Sequence, residues 1–137
     1  EAAGVGWPRI TPEEMAMNGS TWHIFPNIVV LPQPTASLWY RARPAGRGDD
    51  PERCLFEFWA LERYAPGFAP RTTQKHYPDW RTFDALPSFL AQDFGNLPYM
   101  QKGVRSRGFK TAQVNPVQER LIANYHLHIR ERIGWDQ

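Results

Sequence analysis

The chain has 137 residues, with 16 Lys and Arg against 14 Asp and Glu for a formal net charge of +2, a balance that argues against nucleic acid as the main partner. Its hydrophobic share of 42% suffices for a core and is too high for disorder. The single cysteine, Cys54, excludes an intrachain disulfide and any iron–sulfur cluster ligated by this chain alone.

No apolar run reaches the roughly 18 residues a membrane span needs and no signal peptide is visible, so a cytoplasmic protein is expected. The start at Glu1-Ala2-Ala3-Gly4, without an initiator Met, suggests a piece of a longer polypeptide, though a processed start would look the same. Thr11-Pro12-Glu13-Glu14 predicts a helix start, with Pro at the first position and acids in the first turn, and Asn18-Gly19 should end it. Trp22 to Leu31 is rich in β-branched and aromatic residues and reads as a strand with a bulge or break at Pro26-Asn27. Ser37 to Arg43 alternates, with Leu38, Tyr40 and Ala42 on one face and Trp39, Arg41 and Arg43 on the other. Cys54 to Tyr64 is apolar on both parities, as expected of a central strand covered on both sides, with Cys54 a buried, inert thiol. Short loops between these segments predict an antiparallel meander.

Ala65 to Trp80 is expected to be irregular. Phe89-Leu90-Ala91 and Tyr99 to Val104 read as two helical pieces separated by Gly95 and Pro98, with Asn96 capping the second. Asn115-Pro116 predicts the cap and first residue of a long amphipathic helix, with Gln118 at the capping-box position. Its apolar stripe runs through Val117, Leu121, Ile122, Tyr125, Ile129 and Ile133, most economically packed on the sheet. Gly134 should end it.

Among the chemistry-bearing residues, His126 and His128 are two apart on a helix and point to different faces, one exposed and one partly packed. That spacing is wrong for a helical metal pair. His23 reads as a sheet residue, and His76 lies in the irregular stretch. The cations Lys102, Arg105, Arg107 and Lys110 read as a solvated turn. Asp93 stands in the mostly apolar run Phe89-Leu90-Ala91-Gln92-Asp93-Phe94-Gly95. A buried ionised carboxylate needs a cation, a metal or hydrogen-bond donors; an exposed acid at a helix end is the plainer alternative.

Trp22-His23-Ile24-Phe25-Pro26-Asn27, Trp59-Ala60-Leu61-Glu62-Arg63-Tyr64, Gln92-Asp93 with Gln101-Lys102-Gly103-Val104, and Gln118-Glu119 followed by Asn124-Tyr125-His126 together resemble the large subunits of Rieske-type non-haem iron oxygenases that hydroxylate aromatic rings. The resemblance runs from about Thr21 onward. It implies an α+β helix-grip fold, an antiparallel sheet packed on a long C-terminal helix, incomplete here. Residues 1–137 would then be a C-terminal portion of the catalytic domain. The Rieske domain and the helix bearing two iron-binding histidines would lie outside it.

By that resemblance Asp93 is the carboxylate ligand of a mononuclear Fe(II). Phe25, Pro26, Asn27 and Gln101 are motif residues, with Gln101 eight positions after Asp93. Phe83, Phe89, Leu31 and Thr21 are candidates for the substrate pocket, against plain core packing. The implied cofactors and partners are a Rieske [2Fe-2S] cluster in the N-terminal domain, NAD(P)H electrons through a reductase or ferredoxin, O2, a small aromatic substrate and a trimeric full-length protein. Related helix-grip folds bind hydrophobic ligands without catalysis, so a binding module is the alternative.

Overall fold

The computed structural model describes residues 4–48 and 50–135. The chain is α+β, with a four-stranded open antiparallel sheet and a C-terminal helix, and it divides into two compact units, Glu1–Arg71 and Thr72–Gln137.

In the first unit, α1 (Pro12–Asn18) starts where its residues predict. The Thr11 side chain accepts from the Glu14 N–H while the Thr11 N–H donates to the Glu14 carboxylate at 2.8 Å, a complete capping box. Four strands follow, β1 (Trp22–Ile24), β2 (Ile28–Pro32), β3 (Ala36–Pro44) and β4 (Cys54–Glu62), paired in chain order. The expected single broken strand is instead a hairpin: Ile24 pairs with Ile28, and Phe25, Pro26 and Asn27 form the connection. The Phe25–Pro26 peptide is cis, and the Asn27 amide donates to the Ala42 carbonyl at 2.8 Å, tying this turn to β3. A break in β propensity fixes where pairing stops, but only the partner shows that the chain reverses there.

The pairs Trp22↔Val30, Val30↔Trp39 and Trp39↔Trp59 set a row of three tryptophans and one valine across one face, since directly opposed residues share a face. Arg41, Arg43 and Glu57 lie on that face too. His23, Val29, Leu31, Leu38, Tyr40, Phe56 and Phe58 take the other, where the Tyr40 and Phe56 rings stand 5.8 Å apart. The expected central strand, β4, is an edge strand among the described residues. Nor is it covered on both sides, for six of its nine residues are exposed; apolar character on both parities marks surface that could be covered, and shows neither what covers it nor what lies beside it. Cys54, at its start, is exposed rather than buried.

Glu57 is the polar hub of the sheet. Arg41 grips its carboxylate with two bonds of 2.7 and 3.0 Å, Arg43 adds a third of 3.0 Å, and the Arg41 guanidinium lies 5.4 Å from the Trp59 ring centroid. The hydrogen bond from Arg41, with a further one from Arg43, holds the Glu57 carboxyl below its ordinary value of 4.5. A carboxylate depressed by folding stabilises above its unfolded pKa, and that stability is lost as pH falls through the folded one. Glu57→Gln is therefore expected to lower Tm near neutrality. The gap to the parent should close as pH drops below about 4.5, in paired thermal melts from pH 7 to 3.

In the second unit, a 3₁₀ turn (Trp80–Thr82) capped by Asp79 precedes α2 (Ser88–Val104) and α3 (Arg120–Ile133). Asp79 accepts from the Arg81 backbone N–H and from its guanidinium, which keep its carboxyl below the ordinary range. Tyr77 stacks on Phe83 at 4.6 Å and Trp80 meets Phe94 edge-on at 5.6 Å, joining the turn to α2. The two helical pieces expected around Gly95 and Pro98 are one helix. Pro98 withholds one N–H from the ladder, at a typical cost of about 3 kcal/mol. The acceptor left without that donor is the Phe94 carbonyl, on a half-buried residue next to the exposed turn from Gly95 to Pro98.

The regular part of α3 begins at Arg120, four residues after the expected Pro116. Asn115 still organises the approach, its side chain accepting from the Val117 and Gln118 N–H groups. Glu119, not Gln118, answers by accepting from the Asn115 N–H at 2.6 Å. The end matches expectation: Gly134 is left-handed at φ 66°, Trp135 N–H donates to the Arg130 carbonyl and Gly134 N–H to that of Glu131, the pattern of a Schellman cap. Of the α3 stripe, Val117, Leu121, Ile122 and Ile133 are exposed, and Tyr125 and Ile129 are half-buried.

Candidate functional site

Val30 in the first unit and Leu90 in the second are the buried apolar residues, 9% and 4% exposed, among those described. Asp93 lies three residues beyond Leu90 on α2 and is itself exposed. Its carboxylate has no hydrogen bond or ion pair among the described residues.

Its neighbours on the helix surface give the position its character. At 3.6 residues per turn, Phe89, Met100, Asp93, Val104 and Leu97 follow one another across an arc of about 80°. The adjoining arc of about 40° carries Leu90, Gln101 and Phe94. The second arc is the packed one, with Leu90 buried and Gln101 and Phe94 half-buried. The first is open: Phe89 is 48% exposed, Leu97 50%, Met100 63% and Val104 47%. Asp93 is thus the one charged residue in the middle of an exposed apolar stripe, which Asn96 borders about 20° beyond Phe89, while Gln92 and Lys102 lie on other sides of the helix. Leu97, Met100 and Val104 are spaced helically from Phe89 and Asp93, but the expected break at Gly95 and Pro98 conceals the stripe by cutting the pattern in two.

Gln101, eight residues after Asp93, stands about 12 Å further along the axis and about 80° around it. The pair cannot ligate one ion, and Gln101 keeps only a motif role. Of the pocket candidates, Phe83 is half-buried in its stack with Tyr77, and Phe89 is on the Asp93 stripe one turn before the carboxylate. Leu31, half-buried on the face of the sheet that carries Tyr40, and Thr21, exposed just before β1, belong to the other unit.

The histidines do not complete a site here. Both His126 and His128 are exposed, rather than one being packed. His126 is edge-on to Tyr125, and His128 Nδ1 lies 3.1 Å from Glu131. Among the described residues no group of three His, Cys, Asp or Glu side chains could hold a metal ion. As an anionic oxygen donor Asp93 suits a hard divalent cation, but it is one ligand, and the described residues do not make an iron site by themselves.

The first unit contains an open groove of about 500 Å³ between α1 and the tryptophan face, lined by Ile10, Met17, Trp22, Ile24, Val30 and Trp39 among others. Its polar members are Glu14 and Asn18. Glu14 is engaged in the capping box, and the Asn18 amide donates to the Glu14 carbonyl. The groove therefore offers apolar surface rather than chemistry. No helix among the described residues is long and apolar enough to cross a membrane.

Compared with known proteins, residues 1–135 match the family model described as ring hydroxylating alpha subunit (catalytic domain). No curated protein and no solved structure matches the chain.

Proposed function

Since the chain belongs to the ring-hydroxylating alpha subunit family through its catalytic domain, an oxidoreductase family, we propose that residues 1–137 are a C-terminal portion of a Rieske-type oxygenase catalytic domain in which Asp93 is the carboxylate ligand of a mononuclear Fe(II). The observation that carries this reading is the carboxylate at the centre of the exposed apolar stripe of α2. Such a stripe is a surface to be covered. Once it is covered, an ionised carboxylate there costs several kcal/mol unless a cation accompanies it. Ferrous iron held on its other positions by two imidazoles from outside this stretch satisfies that need and leaves coordination sites open. When bound, the iron supplies the place where dioxygen is activated.

The chain's own contribution is then an anionic donor and an apolar wall. Phe89 flanks the carboxylate one turn away and Phe83 stands on the same unit. Such an apolar wall suits a small aromatic substrate. Ring hydroxylation by O2, whether one oxygen atom or two enter the ring, consumes two electrons and two protons per dioxygen. The full-length protein therefore requires a reductant. We assign that role to a Rieske [2Fe-2S] cluster in a separate N-terminal domain, fed from NAD(P)H by a ferredoxin or reductase, in a trimeric cytoplasmic enzyme.

Metal analysis of the full-length oxygenase tests the assignment. The parent is expected to carry mononuclear iron and the Asp93→Ala variant to lack it. A non-catalytic module that binds a hydrophobic ligand is the second reading, favoured by the apolar groove beneath α1. A full-length parent with no mononuclear iron would decide for it.

A further inference from the structure

Between Asp93 and Glu119 the sequence contains no acidic residue, and this interval holds Lys102, Arg105, Arg107 and Lys110. All four are exposed. Lys102 is in the last turn of α2, where the helix dipole favours a cation. That explanation ends with the helix, and Arg107 and Lys110 lie beyond it. Backbone bonds from Ser106 to Gly103 and from Phe109 to Ser106 turn the chain twice just beyond the helix, within the stretch that carries these cations. Lys102, Arg107 and Lys110 have no salt bridge among the described residues. Exposed aromatics accompany them: Tyr99, whose ring centroid lies 6.0 Å from Lys102 Nζ, and Phe109. Arg and exposed aromatic rings are enriched in protein-binding surfaces, and the lysines add charge for steering a partner.

We infer that the segment from Tyr99 to Lys110 docks an acidic protein, the electron donor that the proposed oxygenase reaction requires. This rests on that reading of the chain. Charge complementarity favours an acidic partner, and the near-balance of charge over the whole chain disfavours a general polyanion such as nucleic acid. Opposed patches of this kind raise the rate of encounter and make it salt-dependent.

The test uses the full-length oxygenase with two reductants, an acidic [2Fe-2S] ferredoxin and the small dye methyl viologen. For the triple variant K102E/R107E/K110E, the apparent KM for ferredoxin is expected to rise roughly tenfold or more. Turnover with reduced dye should stay at the parent level, and the parent's KM for ferredoxin should climb with salt. An unchanged ferredoxin KM in the variant overturns the inference, as does a parent that ferredoxin does not reduce. So does an unchanged KM combined with lost retention on heparin, which assigns the patch to polyanions. Iron content separates this from the site assignment: the triple variant keeps its iron, and loss or retention of iron in the Asp93→Ala variant bears only on the metal.

Discussion

The Asp93→Asn variant of the full-length oxygenase is expected to fold, to retain its Rieske cluster, and to lose its mononuclear iron together with at least about a hundredfold of its turnover, more than residues one shell further from a metal typically cost. The substitution keeps the shape of the side chain and exchanges a charged oxygen donor for a neutral one. Nothing else in the described structure leans on Asp93. Its side chain caps no helix and bonds no neighbour among the described residues, and it stands on the open arc of α2, away from buried Leu90. Iron per polypeptide should drop from about three atoms to about two, the two being those of the cluster, with the cluster's visible absorption unchanged. Full iron and full activity in this variant would remove Asp93 from the metal site. Asp93→Glu is the informative companion, because it preserves the charge and displaces the oxygens by one methylene. Partial iron retention there, beside complete loss in the Asn variant, would separate the demand for charge from the demand for position.

What was legible in the sequence follows from the range of the interactions involved. The caps were readable because they are local: Thr11 with Glu14, and Gly134 at the end of α3, each sit within one turn of the groups they satisfy. The alternation of Ser37 to Arg43 was readable because side chains along a strand change face at every residue whatever the strand's neighbours. Features that depend on a partner were not readable. That β1 and β2 are two strands, that β4 is an edge, and that Glu57 is gripped by both Arg41 and Arg43 all require the register between segments distant in sequence. The continuity of α2 failed for a different reason: propensity gave Gly95 and Pro98 a local penalty that the helix accepts. That local penalty conceals the most useful property of the site. Asp93 was recognisable as a candidate from its resemblance to a family motif. Its placement between Phe89, Leu97, Met100 and Val104 emerges only when the helical period is carried through the proline.

Leu90 and Phe89, consecutive on α2, are expected to fail in opposite ways when cut back to alanine. Leu90 is 4% exposed, so Leu90→Ala removes packed surface and leaves a cavity. A loss of about 2–5 kcal/mol follows, seen as a fall in Tm of about 10 °C in the full-length protein. Phe89 is 48% exposed and lies one turn from Asp93. If its ring faces a bound substrate and not protein, Phe89→Ala widens the space beside the carboxylate and changes which ring position is hydroxylated, while Tm and iron content stay near the parent values. The pair discriminates because both changes delete a large apolar side chain from the same helix, about 100° apart around its axis, so any general effect on α2 appears in both. A product profile unchanged in Phe89→Ala, accompanied by a fall in Tm like that of Leu90→Ala, would mean that protein covers the whole stripe. Asp93 would then be a carboxylate buried against a neighbouring segment, with its countercharge supplied there by a side chain in place of iron.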